Sequence, residues 1–114
     1  MITIEELLGQ LNDPKHLEDP EWLSDAAVQL STLLYWHNTK TAQAELAENQ
    51  AVVDLLDSSS LGDKKMSVAE ADKRAVVATN NEYHQYKLQG DAVVEAINSV
   101  KKKLDQLLWE RKNG

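Results

Sequence analysis

"DSSSLGDKKMSVAE", residues 57–70, decides how this chain folds. A helical pattern approaches it without a breaker, and a second helical pattern leaves it. Three consecutive Ser residues offer the backbone competing hydrogen bonds, and Gly62 costs about 1 kcal/mol in a helix relative to Ala. "SVAE" at 67–70 then has the form of a capping box. The Ser67 hydroxyl can accept from the third amide of the new helix, and Glu70 can reach back. The stretch therefore predicts a loop over 58–66 at which the chain folds back on itself.

The first arm has an equally clear start. Asp19 suits an N-cap, and Pro20 suits the first helical position, where a missing amide is no loss. From there to about residue 57 nothing interrupts helix. Leu23, Ala27, Leu30, Leu34, Thr41, Ala44, Val52 and Leu55 fall on one face, with a parallel row through Ala26, Leu33, Ala42, Leu46, Val53 and Leu56. The second arm is expected over about 67–112. Its seam runs Tyr83, Tyr86, Gly90, Val93, Ile97, Val100, Leu104, Leu107, with gaps alternating three and four as in a heptad repeat. At 1.5 Å per residue each arm is roughly 55–65 Å long. Ahead of both, "TIEE" at 3–6 is another capping box, and "NDP" at 12–14 stops a short helix of about 4–12. Trp109, running past the start of the long first arm, is expected to meet residues 4–14 and hold that helix.

The expected fold is therefore all-α and a single domain of residues 1–114: a short N-terminal helix plus a long antiparallel, coiled-coil-like hairpin. Two such arms leave apolar stripe uncovered, with Val52, Val53, Leu55, Leu56, Val76 and Val77 gathered near the fold-back. Self-association into a bundle, most simply as a dimer, follows as an expectation.

Composition narrows the function classes. The chain has 114 residues, 42% apolar and 27% charged, which is ordinary for a folded domain. It has no Cys, so disulfides, thiolate nucleophiles and Cys-rich zinc sites are excluded together. No apolar run approaches the ~18 residues of a membrane span. "MITIEELLGQL" carries acids where a secretory signal carries Lys or Arg, so a cytoplasmic location is expected. The net charge is −7, unevenly divided. Residues 1–57 hold eleven acids against Lys15 and Lys40, a net of −9, whereas residues 58–114 hold eight acids against ten bases, a net of +2. That balance disfavours a nonspecific grip on nucleic acid, which needs Lys and Arg at phosphates.

Chemistry-bearing patterns are sparse. No Gly-rich phosphate loop, Walker pattern or Ser-centred elbow occurs. The Glu-x-x-His pairs of di-iron bundles are missing as well. His37 and His84 can approach across the hairpin with Glu45 or Glu82 nearby, but polar residues satisfied within a long bundle explain them without a metal. No catalytic residue, cofactor or metal is expected, and the chain is not expected to be an enzyme. Two surfaces remain. The acidic residues Glu45, Glu48, Asp54 and Asp57, with Trp36 as an aromatic anchor, suit a basic protein partner. The Lys clusters Lys64–Lys65 and Lys101–Lys102–Lys103 suit single-stranded DNA, with Trp109 able to stack a base. Against the second, the triple Lys stands opposite Glu18, Asp19, Glu21 and Asp25 in the antiparallel arrangement, where ion pairing would occupy it.

"KMSVAEADKRA" (65–75), "EYHQYK" (82–87) and "AINSVKKKLDQLLWE" (96–110) together resemble small helical accessory proteins of tailed bacteriophages of Gram-positive hosts. The resemblance covers about residues 60–111 and rests on scaffold residues, so it carries no functional residue over. It implies an accessory protein acting inside the bacterial host cell, associated with DNA recombination or with inhibition of host defence. The leading expectation is a non-enzymatic inhibitor of a host defence nuclease, such as a CRISPR effector. The alternative is a recombination or replication accessory factor touching single-stranded DNA through its Lys clusters.

Overall fold

The computed structural model describes residues 2–60 and 65–113. Five helices follow one another: α1 (Ile4–Gln10), α2 (Pro14–Leu17), α3 (Pro20–Ser60), α4 (Val68–Ala78) and α5 (Glu82–Asn113). Among the described residues there is no strand, so the all-α expectation holds. The long α3 and the long C-terminal α5 form the expected hairpin pair.

Three N-cap residues are those the sequence announces. Thr3 Oγ1 accepts from the Glu6 amide at 3.1 Å, and Ser67 Oγ accepts from the Glu70 amide at 3.1 Å. The Asp19 carboxylate accepts from the amides of Glu21 and Trp22 at 3.0 and 3.3 Å, with Pro20 opening α3. Each bond satisfies an amide that has no carbonyl within its own helix.

Four boundaries differ from expectation, each for a local reason. First, α1 ends at Gln10 rather than about residue 12, with Leu11 as its C-cap. Second, Asp13–Pro14 starts a helical turn as well as stopping α1: the Asp13 carboxylate accepts from the Lys15 amide at 3.0 Å. Third, the triple Ser does not end α3, which runs through Ser60. Ser59 Oγ donates to the Leu56 carbonyl at 3.0 Å and accepts from the Met66 amide at 3.2 Å, so this hydroxyl is satisfied inside the helix and also ties the chain ahead of α4. The rest of the expected loop at 61–64, Gly62 included, lies outside the described residues.

Fourth, the expected helix of 67–112 is two helices. Asn80 and Asn81 both adopt φ of 56°. The Asn81 amide donates to the Val76 carbonyl at 2.8 Å, and the Asn80 amide donates to the Val77 carbonyl at 3.1 Å. That pair of bonds is a Schellman C-terminus on α4, with Asn in the left-handed position usually given to Gly. The Thr79 hydroxyl folds back onto the Ala75 carbonyl at 2.8 Å. α5 starts immediately afterwards.

The chain gathers into two compact units, residues 1–37 with 89–114 and residues 38–88. In the first, Leu7 of α1, Leu23, Ala26 and Leu30 of α3, and Val93, Ile97, Val100 and Leu107 of α5 make one core. Leu23, Leu30 and Val93 are fully buried. The α5 residues are those of the heptad seam, and Gly90 on that seam is buried too. α1 is held by Leu7 in this core and by Gln89, whose amide donates to the Glu5 carboxylate at 2.6 Å. Trp109 is 66% exposed, so it is not the anchor of α1. The second unit has a leaner interior. Its buried apolar side chains among the described residues are Ala44, Ala71 and Ala75, with Val52, Leu55, Leu56 and Val76 half-buried.

Candidate functional site

In the first unit one face of α3 stands out. Val28, Thr32 and Tyr35 repeat at four and three residues, so they share a side of the helix. Val28 is 65% exposed, Tyr35 68% and the adjoining Trp36 58%. Two hydroxyls on this side, themselves exposed, donate to the helix's own carbonyls. Ser31 Oγ donates to the Ala27 carbonyl at 2.8 Å, and Thr32 Oγ1 donates to the Val28 carbonyl at 3.0 Å. The hydroxyl donors are spent on the helix itself, and a partner need not satisfy them.

Two grooves flank that ridge. One, about 530 Å³, is lined by Ala27, Val28, Ser31, Thr32, Tyr35 and Lys101 of α5. The other, about 240 Å³, is lined by Ile2, Val28, Gln29, Thr32 and Leu33. Tyr35 and Trp36 meet edge to face, with ring centroids 5.5 Å apart and planes at 81°. Offset and edge-on ring pairs hold each other in place without hiding their outer surfaces. Elsewhere in this unit His16 stacks on Trp22 at 4.2 Å, with the Asp13 carboxylate 3.7 Å from the imidazole.

The acidic candidates of the second unit do not make one row. Nine residues separate Glu45 from Asp54, which at about 100° per residue puts them on opposite sides of α3. Glu45 and Asp57 are exposed. Asp54 accepts from the Gln50 side-chain amide at 3.0 Å. Glu48 turns inward: its side chain is 13% exposed, and its carboxylate lies 3.4 Å from His84 Nε2. Together they border a groove of about 260 Å³ with Asn49, Val52, Asp72 and Val76. The sequence suggested Glu45 or Glu82 as the carboxylate near His84; Glu48 is the one that reaches it. The break at Asn80–Asn81 sets the position of His84, and that break was not anticipated. Among the described residues no group of three or more His, Asp or Glu stands in a metal-binding cluster. His37 is buried and has an interaction partner.

The Lys candidates also separate. Lys103 lies 3.9 Å from Glu18, the pairing expected for the triple Lys. Lys101 lines the groove beside Tyr35, while Lys102 is exposed. Lys65 is exposed in the second unit. Lys64 lies outside the described residues. The ridge at Val28–Tyr35 was missed because its hydroxyl residues read as polar in sequence. The available signal was Ser and Thr three to four residues after backbone carbonyls of a long helix, where hydroxyls fold back.

No helix among the described residues is long and apolar enough to cross a membrane. Comparison with known proteins finds no matching family model, no matching curated protein and no matching solved structure.

Proposed function

We propose that this chain is a non-enzymatic protein-binding module, working as a phage-encoded inhibitor of a bacterial defence nuclease of the CRISPR-effector type. The observation that supports binding is the α3 ridge: Val28, Tyr35 and Trp36 exposed, neighbouring hydroxyls satisfied internally, and a groove on either side. Aromatic residues presented on a rigid helix are what interface hot spots are made of. The class of partner rests on the resemblance of residues 60–111 and on the net charge of −7, which favours a basic target. The contact surface is the apolar ridge, in place of the scattered carboxylates of α3.

The test is inhibition of target cleavage by the purified nuclease, with Tyr35→Ala and Trp36→Ala alongside the unaltered chain. Each truncation should weaken binding by about thirtyfold or more, the scale of a hot-spot residue, with helicity unchanged. Full inhibition by a double variant would remove the ridge from the interface. Absence of inhibition by the unaltered chain would remove the nuclease.

One contact supports a second reading, single-stranded DNA binding. Lys101 shares a groove with the exposed Tyr35, a cation beside a stacking platform. Titration of a labelled oligonucleotide at low salt distinguishes the two, since Lys101→Glu should abolish DNA binding yet leave protein capture largely intact.

A further inference from the structure

The second unit carries an uncovered seam of its own. Thr39, Ala42, Leu46, Asn49, Val53 and Leu56 follow one another on α3 at gaps of three, four, three, four and three. Leu46 is 69% exposed and Val53 48%. Thr39, Ala42 and Asn49 are exposed and Leu56 is half-buried. Leu46 and Val53 are not on the side of α3 that packs within the unit, while Asn49 borders the groove of Glu48 and His84 at its edge. Buried Ala44 and inward Glu48 mark that side, and Val53 stands about half a turn round from Ala44. So α3 has one face for its own unit and, beside it, a heptad face on which Leu46 and Val53 stay largely exposed among the described residues.

We propose that a second copy of this chain covers it, α3 against α3, parallel and in register. Three observations favour this occupant. The heptad spacing holds over about 26 Å of helix, the geometry in which identical helices mesh knobs into holes. Asn49 sits within the seam. In register it meets Asn49 of the second copy, where one amide N–H can donate to the other amide carbonyl. An antiparallel pair centred on the seam sets each Asn49 against Leu46 instead and leaves the amide without that partner. The flanking charges agree. Glu45 lies on one side of the seam and Gln43 and Gln50 on the other, so parallel pairing brings Glu45 to Gln50 of the second copy. No like charges meet there. The unit's interior gives the physical motive: among the described residues its fully buried apolar groups are alanines, while its larger aliphatics stay half or largely in water.

The experiment is sedimentation of the full chain across a concentration series, followed by variants. The unaltered chain should be dimeric. Leu46→Glu and Val53→Glu should raise the dimer dissociation constant by about a hundredfold or more, giving the mass of one chain with helicity retained. The chain has no Cys, so Asn49→Cys introduces a single thiol. Mild oxidation should then link two chains at position 49, as the parallel, in-register pair permits, whereas the antiparallel pair centred on the seam offsets the two positions by about 4.5 Å along the axis. A monomer at every concentration overturns the proposal. So does a dimer indifferent to Leu46→Glu. A dimer that Leu46→Glu disrupts but that Asn49→Cys cannot link overturns the parallel register. Tyr35 precedes Thr39 by four residues, so the ridge continues this seam on one side of α3; the two readings are told apart by their readouts, since Leu46→Glu reports on the dimer by mass whether or not any nuclease is inhibited.

Discussion

The smallest decisive feature of this protein is a pair of asparagines. Asn80 and Asn81 at φ of 56° end α4 and open α5 within three residues. For most L residues this conformation crowds Cβ against the following carbonyl oxygen, at roughly 1–2 kcal/mol per residue. Asn tolerates it better, and Gly bears no such penalty. Asn80→Gly should therefore leave the melting temperature unchanged or raise it. Asn80→Val should cost about 1–2 kcal/mol, read by chemical denaturation, and equal stability of the two variants would argue against a left-handed residue at this position. The two Asn after Thr79 were visible in the sequence as poor helix formers. Their weight was not, because the apolar seam of α5 begins only two residues later and suggests an unbroken helix across them.

Among the elements, starts were more legible than stops. Caps at Thr3, Asp19 and Ser67 act within one turn, using a side chain and the amides just beyond it, so residue identities suffice to place them. Ser67→Ala should cost about 1 kcal/mol, and since α4 has just 11 residues its helicity should fall before that of α5. Circular dichroism with residue-resolved amide exchange measures this, and unchanged exchange in α4 would show the cap to be idle. The Ser run at 58–60 shows the converse. Whether Ser ends a helix depends on what its hydroxyl finds, and Ser59 finds Leu56 behind and Met66 ahead. Packing at the element scale gives a larger number. Leu30 is fully buried between α1 and α5 neighbours in its core, so Leu30→Ala should destabilise by about 2.7–5 kcal/mol. A loss under 1 kcal/mol, well below the usual range for such cavities, would mean the core does not close around it.

At the scale of the whole molecule, the two units differ in what holds them. The first buries Leu, Val and Ile from three helices; the second buries alanines. Burial of a Leu or Val side chain contributes about 1.5–3 kcal/mol, several times an Ala methyl. Amides of Leu23–Leu30 and Val93–Val100 should therefore exchange slowest, and those of Val68–Ala78 should exchange markedly faster in a monomeric Leu46→Glu chain. Uniform protection along the chain would contradict this. Helix class, the N-caps at Thr3, Asp19 and Ser67 and the α5 seam were determined by the sequence alone, because each depends on residues within one or two turns. The tertiary structure decided which apolar stripe became core and which stayed open. It also decided which carboxylate reached His84 and where α1 docked. Those outcomes depend on which faces of separate helices meet, and a rotation of one residue along a helix, about 100°, is enough to exchange an inside for an outside.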